Sequence, residues 1–188
     1  MKLLISTHND DAALFAAFTI QRENCQVVTV FDSSVQSHRG FKECSAQVRR
    51  DEDIQACKCL GVDPPIFLGM NDAAEYTPHL EENIIVNLMR RFKDVEAVWC
   101  PAEEENGHPQ HNMVSRASRA AFGFKVKDQY LSYRSKPCEK SVSDKKVEVK
   151  PEWIIPKLLA LTCYKTQITI PELGCWPHFL RSQEEYYL

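Results

Sequence analysis

Two short segments of the chain gather the side chains that hydrolytic chemistry needs: Thr7-His8-Asn9-Asp10-Asp11 near the start, and Gly107-His108-Pro109-Gln110-His111 beyond residue 100. Together they supply two carboxylates and three imidazoles, enough for one metal ion, one base and one acid. Histidine nitrogen and aspartate oxygen suit zinc, and a catalytic zinc takes three protein ligands with a fourth position left for water. His8, Asp11 and His111 can fill the three ligand positions, although spacing leaves open which of His108 and His111 does so. Asp10, beside a ligand, can take a proton from water whose pKa a metal lowers to about 7. His108, if protonated, can stabilise charge on the oxygen of an amide under attack or protonate the departing amine.

Each segment also has a plainer reading. Asp10 and Asp11 alone would cap a helix, which the positive end of its dipole favours. His108 and His111 alone would make a solvated surface pair. His8 beside the aspartates, with a His-x-x-His downstream, favours a shared site over both. His38, His79 and His178 lack such partners and read as ordinary surface or core residues.

The elements around these segments must bring them together. Lys2 to Ser6 is apolar and β-prone, and Asp11 to Phe18 repeats its apolar residues at helical spacing, so His8 sits where a strand gives way to a helix. Val95 to Cys100 reads as a strand stopped by Pro101, the loop Ala102 to Gly107 follows, and Met113 to Phe122 reads as a helix. His108 and His111 therefore stand at a second strand-to-helix junction, and face a common centre if the helical turn has begun at Pro109. Open α/β sheets bind ligands at the carboxyl ends of their strands.

Cys25 to Phe31 reads as a further strand with a turn at Asp32-Ser33-Ser34, and Pro65 to Gly69 as another. Ser45 to Leu60 reads as a helix closed by Gly61, and Leu80 to Phe92 as an amphipathic helix. This alternation predicts an α/β fold in one domain, residues 1–188, with a mostly parallel sheet and helices on both faces. After Lys125 the pattern changes to strands at Gln129 to Tyr133 and Lys146 to Val149, then a helix from Trp153 to Tyr164 with Pro156 in its first turn. Lys136 to Lys145 and the tail after Pro171 give no clear pattern.

The chain has 188 residues, 44% hydrophobic and 26% charged, enough to bury one core. A net charge of -3 argues against bulk electrostatic binding of nucleic acid and favours a small-molecule substrate. No apolar run reaches membrane-spanning length, and Met1 to Ile5 is too short for a signal-peptide core, so a cytoplasmic location is expected. None of the eight cysteines pairs as Cys-x-x-Cys, which argues against a zinc ribbon. The closest pair, Cys57 and Cys59, diverges on a helix and reads as free thiols. No Gly-x-Gly-x-x-Gly follows the first strand, against a dinucleotide site. Nothing in the sequence sets an oligomeric state.

The ordered motifs resemble a known family. His8-Asn9-Asp10-Asp11 is similar to the Ala-His-Pro-Asp-Asp-Glu motif, and Gly107-His108-Pro109-Gln110-His111 to the His-Pro-Asp-His motif, of the PIG-L/LmbE-like zinc-dependent N-acetylglucosamine deacetylases. Arg49-Arg50-Asp51-Glu52 resembles that family's Arg-x-x-Glu helix, Leu68-Gly69-Met70-Asn71-Asp72 its Leu-Gly-x-x-Asp turn, and Tyr164-Lys165-Thr166-Gln167 its Tyr-x-Ser-Gln element. The resemblance implies a Rossmann-like fold, zinc, and removal of an N-acetyl group from an amino sugar or its conjugate. It implies His8, Asp11 and His111 as ligands, Asp10 as base, His108 as the imidazole facing the oxyanion, and Arg49 and Asp72 on sugar hydroxyls. From the residues alone, Arg49 and Glu52 also read as a helical ion pair, and Asp72 as a turn-forming side chain. Asn9, Ala12 and Gln110 depart from the family's Pro, Glu and Asp. Two alternatives stand beside a sugar deacetylase: a zinc amidase on another acylated amine, such as a nucleoside or antibiotic precursor, and a non-catalytic metal-binding module.

Overall fold

Five short strands rich in aliphatic residues pair in parallel through the middle of the molecule, in a computed structural model that describes residues 1–32, 44–71, 77–105, 107–132, 145–168 and 185–187. They are β1 (Lys2–Ser6), β2 (Gln26–Asp32), β3 (Ile66–Asn71), β4 (Ala97–Pro101) and β5 (Val126–Tyr130). Two-residue strands β6 (Lys145–Lys146) and β7 (Tyr186–Tyr187) extend the sheet antiparallel, giving the order β3-β2-β1-β4-β5-β7-β6. β1 is central, with Leu3 opposite Gln26 on one side and Val98 on the other.

Period-two alternation sends successive β1 side chains into two different cores, which is why its apolar run is unbroken. Leu4 joins Val27, Trp99 and Tyr130 under α1 (Asp11–Phe15), α2 (Ala17–Glu23), α3 (Ala46–Cys59) and α6 (Pro151–Thr162). Leu3 and Ile5 join Val28, Val30, Val98 and Cys100 under α4 (Pro78–Arg91) and α5 (Pro109–Phe122). The expected mostly parallel sheet with helices on both faces is the observed architecture.

Local signals explain most boundaries. Ser45 Oγ accepts from the Val48 N–H at the start of α3, and Gly61 takes φ of 76° just past its end. Thr77 caps α4 in the same way, accepting from Leu80 N–H at 3.2 Å. Four expectations need correction. The single helix from Asp11 to Phe18 is two helices, broken at Ala16, and the freed Phe18 and Thr19 N–H groups donate to the Glu185 carboxylate at 2.7 and 3.2 Å. A cap supplied from 166 or more residues away leaves no local signature. The α6 helix begins at Pro151, two residues earlier than predicted, so Pro156 lies past its first turn. β5 starts at Val126 and ends at Tyr130 rather than running from Gln129 to Tyr133. The expected strand at 146–149 is only the edge pair Lys145–Lys146, followed by a Val147 N–H bond to the Glu185 carbonyl.

Ser33, Ser34, His38, Asp72, Tyr133, Cys138, Cys175 and His178 lie outside the described residues, as do the tail at 171–184 and most of 136–145. No helix among the described residues is long and apolar enough to cross a membrane.

Candidate metal centre and active site

The chain leaves β1 toward one face of the sheet and neighbouring β4 toward the other, so the carboxyl ends of these two strands form the crevice where strand order reverses. The turn after β1 carries His8, Asp10 and Asp11, and the loop after β4 carries His108 and His111. α5 begins at Pro109, the residue whose missing N–H and fixed φ suit a first helical position. That start puts His108 at the N-cap and His111 within the first turn.

Three donor atoms form a close triangle. His8 Nδ1 lies 3.2 Å from His111 Nε2, His111 Nε2 3.1 Å from Asp11 Oδ2, and His8 Nδ1 3.5 Å from Asp11 Oδ2. Tetrahedral ligands at about 2.0–2.2 Å from a cation stand about 3.3–3.6 Å apart, so these atoms match one face of such a shell. Asp11 is fully buried, and its Oδ1 has no hydrogen-bond partner among the described residues. A buried, half-satisfied carboxylate facing two imidazoles fits a cation.

Hydrogen bonds behind the triangle fix both tautomers. His8 Nε2 lies 2.6 Å from Gln110 Oε1, an acceptor, so the proton sits on Nε2 and the Nδ1 lone pair faces the triangle. Ser132 Oγ donates to Glu104 Oε1 at 2.9 Å and therefore accepts from His111 Nδ1–H at 2.7 Å, freeing the Nε2 lone pair. The Ser132 N–H also donates to Glu104 Oε1, at 2.7 Å. Glu104 reaches this position because its loop folds tightly: a Cβ on Gly107 would stand 2.9 Å from Glu104 Cβ. Asn112 clasps the Glu104 backbone from both sides, at 2.9 Å each.

His108 completes a three-imidazole group whose ligand atoms all lie within 4.8 Å of one another. As N-cap its Nδ1 accepts the Gln110 backbone N–H at 3.3 Å, leaving the proton on Nε2. Burial, with His8 and His111 beside it, lowers its pKa to about 4, so without a metal the ring is neutral rather than protonated at pH 7. A neutral imidazole still donates one N–H. Burial also opposes charge on Asp11, but His111 and His8 outweigh it and hold the carboxyl well below the usual range. Burial lowers His8 in turn, and Asp11 more than compensates, leaving its pKa raised.

Asp10 occupies the N-cap position of α1 yet makes no capping bond. Its Oδ1 instead faces Arg49 Nη2 at 3.4 Å. Arg49 Nη1 donates to Glu52 Oε2 at 3.2 Å and Thr166 Oγ1 at 3.1 Å, while Glu52 accepts from the Thr166 N–H and hydroxyl at 2.8 and 2.6 Å. One turn of α3 further lies Asp53, which accepts from Thr29 and from Tyr164 at 2.9 and 2.8 Å. Burial raises its pKa to about 7. Arg49, only 2% exposed, thus combines the helical ion pair with a contact to Asp10.

The structure brings together His8, Asp10, Asp11, His108, His111 and Arg49; Asp72 lies outside the described residues. Sequence reasoning missed Ser132, Glu104 and Asp53, and gave no hint that the Gln110 side chain holds His8. A groove of 620 Å³ between α4 and α5, lined by Thr77, Glu81, Ile85, Met113 and Arg116 among others, borders Gly107 and Pro109 on either side of His108.

Comparison with known proteins gives the family and the fold. Residues 3–122 match the family described as PIG-L: GlcNAc-PI de-N-acetylase. No curated protein matches the sequence. Among solved structures, the chain is similar to the N,N'-diacetylchitobiose deacetylase from Pyrococcus horikoshii, at 19% identity and a TM-score of 0.68 over 97% of this chain and 76% of that one. It is similar to Dbv21, the A40926 pseudoaglycone deacetylase, at 21% identity and 0.70 over 94% and 87%. It is also similar to GalB, the 4-carboxy-2-hydroxymuconate hydratase from Pseudomonas putida, at 17% and 0.67 over 96% and 84%. Identities this low establish the shared fold.

Proposed function

The chain belongs to the PIG-L family of GlcNAc-PI de-N-acetylases, and we propose from that premise that it is a zinc-dependent hydrolase removing an N-acetyl group from an amino sugar or its conjugate. A fold shared with a hydratase does not choose the reaction; the side chains must. The observation that carries the reading is the donor triangle of His8, Asp11 and His111, with Asp10 and His108 beside it and outside it.

His8 Nδ1, Asp11 Oδ2 and His111 Nε2 would hold the zinc, which supplies Lewis acidity toward the amide and a water of lowered pKa. Asp10 takes the proton as water attacks the acetyl carbon. Arg49 Nη2, 3.4 Å from Asp10 Oδ1, keeps that carboxylate in place. The Nε2–H of His108 donates to the acetyl oxygen as it gains charge, a role that a neutral imidazole at a helix N-terminus fills. The proton held by Asp10 then passes to the nitrogen as the C–N bond breaks, releasing acetate and a primary amine. The groove bordering Gly107 and Pro109 has room for the rest of a sugar conjugate, with the Glu81–Arg116 ion pair on its wall. A small N-acetylated molecule is accordingly the proposed partner, in a cytoplasmic setting.

The test is release of primary amine and acetate across N-acetylated sugars, nucleotide sugars and nucleosides. Equal amounts of both products from an N-acetyl sugar support the reading. Release from acylated nucleosides alone would reassign the substrate, and no release from zinc-loaded protein would contradict the assignment.

A further inference from the structure

The sequence pairs Cys57 with Cys59, but the fold pairs Cys59 with Cys163, 104 residues away: their sulfurs lie 3.8 Å apart. Cys59 ends α3 and Cys163 follows α6 as its C-cap. Both are partly exposed, whereas Cys25, Cys57 and Cys100 are buried, with thiols that burial pushes far up. A disulfide holds its sulfurs about 2.05 Å apart, so the gap closes by movement of the two side chains.

The location matters to the site. α3 carries Arg49, Glu52 and Asp53, and the residues just after Cys163 are Tyr164, which bonds Asp53, and Thr166, which bonds Glu52 and Arg49. A bond between Cys59 and Cys163 would pin together the two segments that support Arg49, and through it Asp10.

The geometry points to Cys59 and Cys163 as a modification site: a dithiol that hydroperoxides convert to a reversible intramolecular disulfide, stapling α3 to residues 163–166. In the first step one of the two sulfurs attacks the peroxide, forming S–O, breaking O–O and leaving a sulfenic acid and water, or an alcohol where the oxidant is an alkyl hydroperoxide. In the second the other sulfur attacks the sulfenic sulfur, forming S–S and breaking S–O, and the departing oxygen leaves as water with the proton of the second thiol. Two thiols lose two electrons, and the peroxide gains them.

The experiment treats the full reduced chain with stoichiometric hydrogen peroxide, without substrate, and maps peptides without reduction. The expected result is a peptide containing Cys59 joined to one containing Cys163, absent after a thiol reductant, together with a thermal midpoint several degrees higher in the oxidised protein. The Cys59→Ser and Cys163→Ser variants should show neither. Sulfinic acid on either residue without the crosslink, or disulfides joining them to other cysteines or to a second chain, would overturn the assignment. Because the crosslink is read on the unaltered protein, a poorly folding variant does not blunt the test.

Discussion

At the scale of single residues, the candidate site depends on side chains that stand behind the donor triangle. Gln110 and Ser132 each hold one imidazole of the triangle in the tautomer that presents its lone pair. Removing such a partner typically costs a site 10- to about 100-fold in metal affinity. Gln110→Ala and Ser132→Ala should each weaken zinc binding by about that factor in a chelator competition, and Gln110→Asp, which restores an acceptor for His8 Nε2–H, should recover it. Unchanged affinity in both alanine variants would remove the two side chains from the centre. His108→Ala should leave metal content intact while lowering kcat by about 100- to 1000-fold, the usual loss for one oxyanion donor. If His108→Ala loses the metal instead, that imidazole is a ligand and the triangle must be redrawn. The grouping of His8, Asp10, Asp11, His108 and His111 was legible in the sequence because these residue types recur at two strand-to-helix junctions. Glu104 and Ser132 were not, since a glutamate in an acidic loop and a serine after a strand look like solvated residues until folding places them behind His111.

At the scale of elements, the junction of α1 and α2 is held from far along the chain. Glu185 caps two N–H groups of α2 and receives the Lys157 ammonium at 3.0 Å, with both side chains at zero exposure. A buried pair is a weak source of net stability, but breaking one strands its partner, at a cost of about 3–5 kcal/mol. Glu185→Ala should shift urea unfolding by that amount without altering the donor triangle; a shift under about 1 kcal/mol would show that the tail does not hold this junction. Strands and helices whose signals are local were readable in sequence: β1 from its apolar run, α3 from Ser45 and Gly61, and α4 from its amphipathic spacing. The break at Ala16 and the early start of α6 were not, because one depends on Glu185 and the other on Lys150-Pro151, where a strand was expected to end nearby. Pro109 shows the converse, a single residue whose conformation set the helix start and brought His111 into range of His8.

At the scale of the whole molecule, the five parallel strands make one rigid edge from two remote motifs, since His8 and His111 stand 103 positions apart in sequence. The same packing buries Asp53 and lifts its pKa to about 7, against about 3.9 in an unfolded chain. Between those values the unfolded chain has released a proton that the fold retains, so this group makes stability fall as pH rises from about 4 to about 7, by at most about 1.4 kcal/mol per unit. Unfolding free energies measured across that range should fall less steeply for Asp53→Asn than for the native chain; parallel slopes would exclude Asp53 as a source of the dependence. The mostly parallel sheet, with both motifs at the carboxyl ends of its strands, could be anticipated from alternating elements, whereas the strand order and the groove between α4 and α5 could not, being set by how the elements pack. The central claim, that the triangle holds zinc and Asp10 moves the proton, is met most directly by measuring bound zinc and acetate release on the same preparations of native protein and Asp10→Asn. The account predicts equal zinc in both and acetate release at least about 100-fold slower in the variant. Loss of zinc from Asp10→Asn, or undiminished release with zinc bound, would contradict it.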